Sequence, residues 1–282
     1  MSGRVAVVTG ANSGVGRATA RGLATRGFHV VLWCRDAARG QAATAEVAAL
    51  GSAELVLADL ADPEAIARAA GHIRDRHPQL DLLVSNAGLY VPRRRETPDG
   101  LELTFAVNAL AGFRLVHHLR APLMAAERGR MVWVASRSHA EGRIDLDDIA
   151  TRRRYRSYQA YADSKLAVVL LARALGRRLA GTSMVTHSVH PGIVRSEWAQ
   201  DEPSPLGRLF RLARWGFRSP ERAADTVLWL GEHPSPEDLR GAYVADRRVV
   251  RPTRRGRDDA TGEALWGRCA TVAGPLPAWD QA

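Results

Sequence analysis

The stretch YADSK sets Tyr161 and Lys165 four residues apart, a spacing that puts a phenol and an ammonium on one face of a helix. A phenol by itself titrates near about 10, so at neutral pH it gives up a proton reluctantly and takes one poorly. A fixed cation beside it favours phenolate and lowers that value by roughly 1–3 units, which makes the hydroxyl a working general acid or base. The composition points the same way: of 40 basic residues, 39 are arginine and one, Lys165, is lysine. A planar, strongly basic guanidinium cannot replace a compact, rotatable ammonium in a confined site. A chemical requirement at position 165 is therefore the expectation.

A second chemical feature lies near the amino terminus, in TGANSGVG. Gly10, Gly14 and Gly16 permit a tight strand-to-helix turn in which backbone amides approach a pyrophosphate at a helix N-terminus, where the dipole favours anions. The end of the next strand selects the dinucleotide. A carboxylate there binds ribose hydroxyls, whereas an arginine pairs with a 2′-phosphate. The chain reads WCRDAAR, with Arg35 and Arg39 one turn apart around Asp36. Guanidinium forks match phosphate oxygens, so NADP(H) is preferred over NAD(H), with Asp36 keeping NAD(H) open. Asp59 and Leu60, after the third strand, are expected to flank the adenine.

The elements that must position these residues are legible as alternation. Apolar runs at 4–9, 28–34, 53–58, 80–85, 130–136 and 182–190 read as strands buried on both faces. Helical spacing fills 14–27, 37–50, 62–77, 98–127 and 157–180, and a helix at 220–231 and the run 242–246 complete the pattern. Such alternation implies right-handed crossovers and a doubly wound α/β domain, with a parallel sheet of about seven strands and helices on both faces. Ligand belongs at the carboxyl ends of the strands. One catalytic domain over 1–250 is expected, with an amphipathic segment at 193–217 (Trp198, Phe210, Trp215) as lid or packed helix pair. A basic tail over 251–282 packs on the domain or trails from it.

The totals exclude several classes. No run approaches the roughly 20 apolar residues of a membrane helix, and the amino terminus lacks signal-peptide anatomy. Cys34 and Cys269 neither form a disulfide framework nor supply a metal site, so a cytoplasmic protein is expected. The net charge of +10 comes from arginines dispersed along the chain, with short clusters at Arg93–Arg95 and Arg152–Arg154. That pattern reads as a solvated surface rather than a nucleic-acid face. His139 is expected in a loop, and His187 and His190 as structural. No His, Cys or carboxylate cluster has metal-ligand spacing, so no metal is expected.

Taken together, TGANSGVG, the DL at 59–60, SNAG at 85–88, Asn108 in FAVNALAG, Ser136 in VWVAS, YADSK, and HPGIVRSEW at 190–198 resemble the short-chain dehydrogenase/reductase family. The nearest likeness is to its retinol dehydrogenase-like and protochlorophyllide reductase-like branch, on CRD at 34–36, DG at 99–100 and ALWGRC at 264–269. Ser85 and Ser196 stand where asparagine and threonine are usual, changes with local effect only.

The resemblance implies an oxidoreductase with Asn108, Ser136, Tyr161 and Lys165 as catalytic residues. Ser136 would hold the substrate oxygen beside Tyr161. Lys165 would also bind the nicotinamide ribose, and Asn108 would position a relaying water. Ser13, Val15, Asn86, Ala87, Gly88, Pro191, Gly192 and Val194 would join the cofactor contacts. The expected reaction is hydride transfer between NADP(H) and a carbonyl or alcohol of a bulky apolar small molecule. Double-bond reduction, epimerisation and a non-catalytic nucleotide-sensing protein remain open, and a homo-oligomer is a family-level expectation.

Overall fold

The computed structural model describes residues 3–192, 218–232 and 240–277. The expected lid at 193–217, with Val194, Ser196, Trp198, Phe210 and Trp215, lies outside them.

Eight strands form one sheet: β1 (Val5–Thr9), β2 (His29–Cys34), β3 (Ser52–Leu57), β4 (Leu82–Ser85), β5 (Arg130–Val134), β6 (Val185–His190), β7 (Ala242–Ala245) and β8 (Arg248–Val249). Their order is β3-β2-β1-β4-β5-β6-β7-β8. All neighbouring pairs are parallel except β7 with β8. The strand order reverses at β1 and β4, where successive strands switch from one side of β1 to the other, and this opens a crevice at the carboxyl ends of the strands. The eighth strand was not expected. Asp246 and Arg247 turn the chain back at φ 52° and 58°, the left-handed pair of a tight hairpin that usually carries Asn-Gly. The DR dipeptide hid the turn.

Helices α1 (Gly14–Ala24), α2 (Ala37–Ala48), α3 (Pro63–Arg76), α4 (Leu103–Phe105), α5 (Ala111–His118), α6 (Arg120–Ala125), α7 (Ser157–Arg178), α8 (Pro220–Glu232) and α9 (Asp259–Val272) fill the connections. Sequence supplies their starts. Asp62 accepts from the amides of Glu64 and Ala65, with Pro63 at the first helical position, a geometry Pro tolerates because that N–H has no helical partner. The single helix expected over 98–127 is interrupted. Glu102 caps Thr104 and Phe105, a π-turn follows over Ala106–Leu110, and only then does α5 begin.

Alternating side chains divide the core between the two sheet faces. Val7, Val31, Trp33, Leu83, Met131 and Trp133 pack with α3, α5, α7 and α9. Ala6, Val8, Val30, Leu32, Val84 and Val132 pack with α1, α2 and α8. The segment 251–282, expected to pack on the domain or trail from it, contains α9, whose Leu265, Trp266 and Cys269 are buried. Asp258 caps it, and the buried Arg114 of α5 donates to the carbonyl of Ala273 just beyond it.

Candidate active site

A cavity of about 1040 Å³ opens where the strands end at their carboxyl side. Gly10, Ser13, Gly14 and Val15 form one wall, Arg35, Asp36, Arg39, Asp59 and Leu60 the next, and Asn86, Ala87, Gly88, Ser136, Tyr161, Lys165, Pro191 and Gly192 the rest. Residues from β1 to β6 that are remote in sequence thus face one space.

The glycine loop is built for a close approach. Gly10 has φ 64° and Gly14 φ 52°, backbone that side-chain-bearing residues rarely adopt. A Cβ at Gly14 would meet nothing within 4 Å, so that backbone is bare toward the cleft. Gly16 lies underneath, where a Cβ would sit 2.4 Å from both the Gly10 carbonyl oxygen and Asn86 Nδ2. Ser13 precedes α1 without capping it by its side chain, which leaves the first-turn amides for an anion. Thr9, which the sequence did not single out, ties this loop to the next: its Oγ1 accepts from the amides of Asn86 and Ala87, both at 3.0 Å. Asn86 Nδ2 donates to the Thr9 carbonyl at 2.8 Å. These features fit a dinucleotide pyrophosphate.

At the adenosine end, the two candidate selectors differ in what they are doing. Asp36 is the N-cap of α2, its Oδ1 accepting from the Arg39 amide at 2.9 Å. Asp59 is similarly engaged by the Ala61 amide at 2.9 Å. Arg35 and Arg39 are exposed on the cavity wall.

At the other end, α7 presents Tyr161 and Lys165 to the cleft. Lys165 is 4% exposed, and its Nζ donates to the carbonyl of Val134 at 2.9 Å. The ammonium lies 5.8 Å from the centre of the Tyr161 ring. Burial pushes Lys165 down to about 8, so it is still mostly charged at neutral pH. Tyr161 departs from expectation. Burial raises its hydroxyl above the ordinary value, and the hydrogen bond with Ser136 only partly opposes this. The net direction is upward, against the lowering expected from an adjacent cation. The shared helix face is real, but the ammonium is directed at a backbone carbonyl.

Asn108 does not line the cavity. It is buried in the π-turn, where Oδ1 accepts from the Leu89 amide at 2.7 Å. Its Nδ2 donates to the Leu89 carbonyl and to Ser164 Oγ, both at 3.0 Å. It thereby fastens the loop after β4 to α7. A Cβ at Gly88 would lie 3.4 Å from both Asn108 Oδ1 and Lys165 Nζ, so Asn108 sits just behind the wall that Ser136, Tyr161 and Lys165 share.

Several wall residues escaped the sequence reading. Tyr158 lines the cavity one turn before Tyr161, a position the helical spacing could have flagged. The Tyr90 ring meets that of Tyr161 edge-on at 6.1 Å, and its hydroxyl pairs with Ser157 Oγ at 2.7 Å; no motif marked it. His190, expected to be structural, ends β6 in the cavity wall, held neutral near 4 by burial and by Arg137 and Arg218. His187 is fully buried, as expected. His139 is a buried clamp, its Nδ1 paired with the Ser136 carbonyl at 2.8 Å. Arg152, expected in solvent, is buried against Asp163 at 2.6 Å. No metal-ligand spacing in the sequence marks them, yet His29, Glu54 and His77 converge in space, joined by strand register rather than by local spacing.

A doubly wound sheet whose switch-point crevice carries a bare glycine loop at one end and a Ser–Tyr–Lys wall at the other defines a dinucleotide-dependent oxidoreductase. The chain belongs to the short-chain dehydrogenase family, whose model, described as short chain dehydrogenase, matches residues 4–206. It falls in the retinol dehydrogenase-like branch: it is 36% identical to retinol dehydrogenase 12 of Homo sapiens over 277 residues, covering 97% of this chain and 87% of that one. It is also 36% identical over 277 residues to the "Putative daunorubicin C-13 ketoreductase DnrU" of Streptomyces sp. (strain C5), covering 97% and 94%. Among solved structures, a "putative NAD(P) dependent gluconate 5-dehydrogenase" from Beutenbergia cavernae with bound NADP superposes with a TM-score of 0.70 at 31% identity, covering 87% of this chain and 95% of that one. Among the described residues, no helix is long and apolar enough to cross a membrane.

Proposed function

We propose that this protein is an NADP(H)-dependent short-chain oxidoreductase that reduces a ketone or aldehyde of a bulky apolar substrate, or oxidises the corresponding alcohol, with Tyr161 as general acid/base. The observation that carries this reading is the gathering of Ser136, Tyr161 and Lys165 on the cavity wall facing the glycine loop. Preference for NADP(H) rests on Arg35 and Arg39 lining the cavity while Asp36 is engaged in capping. One relative is named as a retinol dehydrogenase and another as a putative daunorubicin C-13 ketoreductase, which supports a bulky substrate. Tyr90 and Tyr158 add aromatic surface to the same wall. A cytoplasmic location accords with two free, buried cysteines.

The nicotinamide supplies or accepts the hydride when bound. Ser136 hydrogen-bonds Tyr161, so both hydroxyls can meet one substrate oxygen. Tyr161 holds a proton on its phenolic oxygen, favoured by the burial that raises its pKa, and delivers it to that oxygen in the reducing direction. Lys165, anchored on Val134, keeps positive charge beside the phenol as the proton leaves. Asn108 holds the loop carrying Leu89 against α7 and so maintains the spacing of these groups.

The test is turnover resolved by cofactor. Purified protein is offered NADPH or NADH with aromatic and polycyclic ketones and aldehydes, following loss of reduced-cofactor absorbance. The wild type is expected to turn over with NADPH. Tyr161→Phe is expected to lose activity by about 10²-fold or more while binding NADPH within roughly twofold of wild type. Retained turnover in Tyr161→Phe would overturn the assignment.

A further inference from the structure

At the amino-terminal ends of β2 and β3, on the side of the sheet away from the cleft, three side chains from three elements meet. His29 opens β2, Glu54 lies in β3, and His77 caps the end of α3. In the parallel register His29 stands opposite Ser52. Glu54 is two residues further along β3 and so projects on the same face as Ser52. Helix α3 returns His77 to that face. One ligand atom from each residue lies within 4.8 Å of the others.

We propose that His29, Glu54 and His77 bind a single divalent transition-metal ion, Zn²⁺ foremost. Two imidazoles and one carboxylate form a donor set suited to zinc, with the fourth position left to water. A tetrahedral ion at zinc–ligand distances near 2.0–2.1 Å needs donors roughly 3.3 Å apart. Glu54 Oε1 is 2.7 Å from His77 Nε2 and 3.8 Å from His29 Nε2, values that bracket that separation. The rings are 5.1 Å apart and tilted by 37°, so a small rotation brings both nitrogens toward one point.

A second observation points to a missing ligand. His29 Nε2 is buried and has no hydrogen-bond partner, a condition native proteins rarely leave uncompensated. The outer contacts needed to orient metal ligands are present. His29 Nδ1 is paired with Ser52 Oγ at 2.7 Å, which fixes the ring and aims Nε2 at the cluster. Arg76 Nη2 holds Glu54 Oε2 at 3.1 Å, leaving Oε1 for the shared site. The Arg76 side chain is 56% exposed, so its charge can swing into water when a cation enters. The His29, Glu54 and His77 side chains are 24%, 17% and 13% exposed, enclosed but open to an incoming ion. Because the three ligands come from β2, β3 and α3, the ion fastens the sheet's edge to its covering helix. An ion bound only to the folded state stabilises it by mass action.

Full-length protein stripped with EDTA and gel-filtered is titrated with Zn²⁺ against a chromophoric chelator. One equivalent is expected to bind, with Mg²⁺ not competing. His29→Gln and His77→Gln are each expected to weaken binding by roughly tenfold or more, and His72→Gln, on the exposed side of α3, to leave it unchanged. Absence of saturable one-to-one binding, or binding undiminished in the His29→Gln/His77→Gln protein, would overturn the site. Should those variants fail to fold, X-ray absorption of the wild type with one equivalent of Zn²⁺ decides. Two imidazoles and a carboxylate uphold the site, and any other donor set rejects it. Neither readout depends on turnover.

Discussion

Lys165 carries the charge at the centre of the cleft, and its environment makes that charge costly. The side chain is buried, and its one recorded hydrogen bond goes to a neutral carbonyl, so desolvation lowers its pKa from 10.5 to about 8. A basic group of this kind binds fewer protons folded than unfolded between those two values, so its contribution to stability rises with pH across that window. Below pH 8 the folded protein bears the full penalty of a buried ammonium. The unfolding free energy of wild type minus that of Lys165→Met is therefore expected to rise by about 3 kcal/mol between pH 8 and 10.5. Buried Cys34, Cys269 and Tyr243 are all raised and push the opposite way, but they are common to both proteins and cancel. Urea melts of the pair across this range check the slope; a flat difference would mean that Lys165 is better solvated than its position indicates. The i, i+4 spacing correctly put phenol and ammonium on one face. It could not say which acceptor would capture the ammonium, because Val134 belongs to a strand 31 residues earlier.

At the scale of elements, the turn from β2 into α2 carries the candidate selectors of the dinucleotide. The sequence offers a carboxylate and two guanidinium groups within five residues, and spacing alone does not choose among them. In the local fold Asp36 is the residue in extended conformation just before α2, and its carboxylate satisfies the Arg39 amide. An N-cap of this type contributes about 1 kcal/mol to its helix, so drawing it away to a ribose costs helix stability. Arg35 and Arg39 are left to face the cleft. On the proposed reading, Arg35→Ala weakens NADPH binding by roughly 10–100-fold, the scale of a lost charge-assisted hydrogen bond, and leaves NADH within about twofold. Fluorescence titration with both nucleotides measures this. Equal losses would return the choice to Asp36. The glycine turn was legible for a related reason: Gly10, Gly14 and Gly16 are demanded by backbone and contacts formed within a few residues or with the adjacent loop.

Across the whole molecule, the loop that precedes α7 is fastened to that helix by a buried ion pair that composition disguised as surface charge. Arg152 adopts φ 51°, and its Nη1 donates to Asp163 Oδ2 at 2.6 Å. Asp163 Oδ1 also accepts from the Arg143 amide and from Gln159 Nε2, both at 2.6 Å. The two partners are not equivalent. Asp163 keeps two donors if Arg152 is removed. Arg152, whose Nε and Nη2 already have no hydrogen-bond partner, loses its one buried counter-charge if Asp163 is neutralised. Asp163→Asn is therefore expected to destabilise the fold by about 3–5 kcal/mol, and Arg152→Met by clearly less. Thermal melts of the two variants test the order, and a larger loss for Arg152→Met would reverse the argument.

The sequence by itself determined what depends on near neighbours and on periodicity. Buried strands alternating with amphipathic helices specified the parallel sheet, and the glycine loop specified its first crossover. Motif order identified the family, because those residue types recur at fixed places along the chain. What only the tertiary structure decided are the encounters between residues distant in sequence. These include the carbonyl that holds Lys165, the packing of α9 onto α7 and the cleft-facing position of His190. They also include the burial of Arg152 and the meeting of His29, Glu54 and His77 at one sheet edge. Those at the strands are set by strand order and register and the rest by how loops and helices pack on the sheet, and no local spacing encodes these distances.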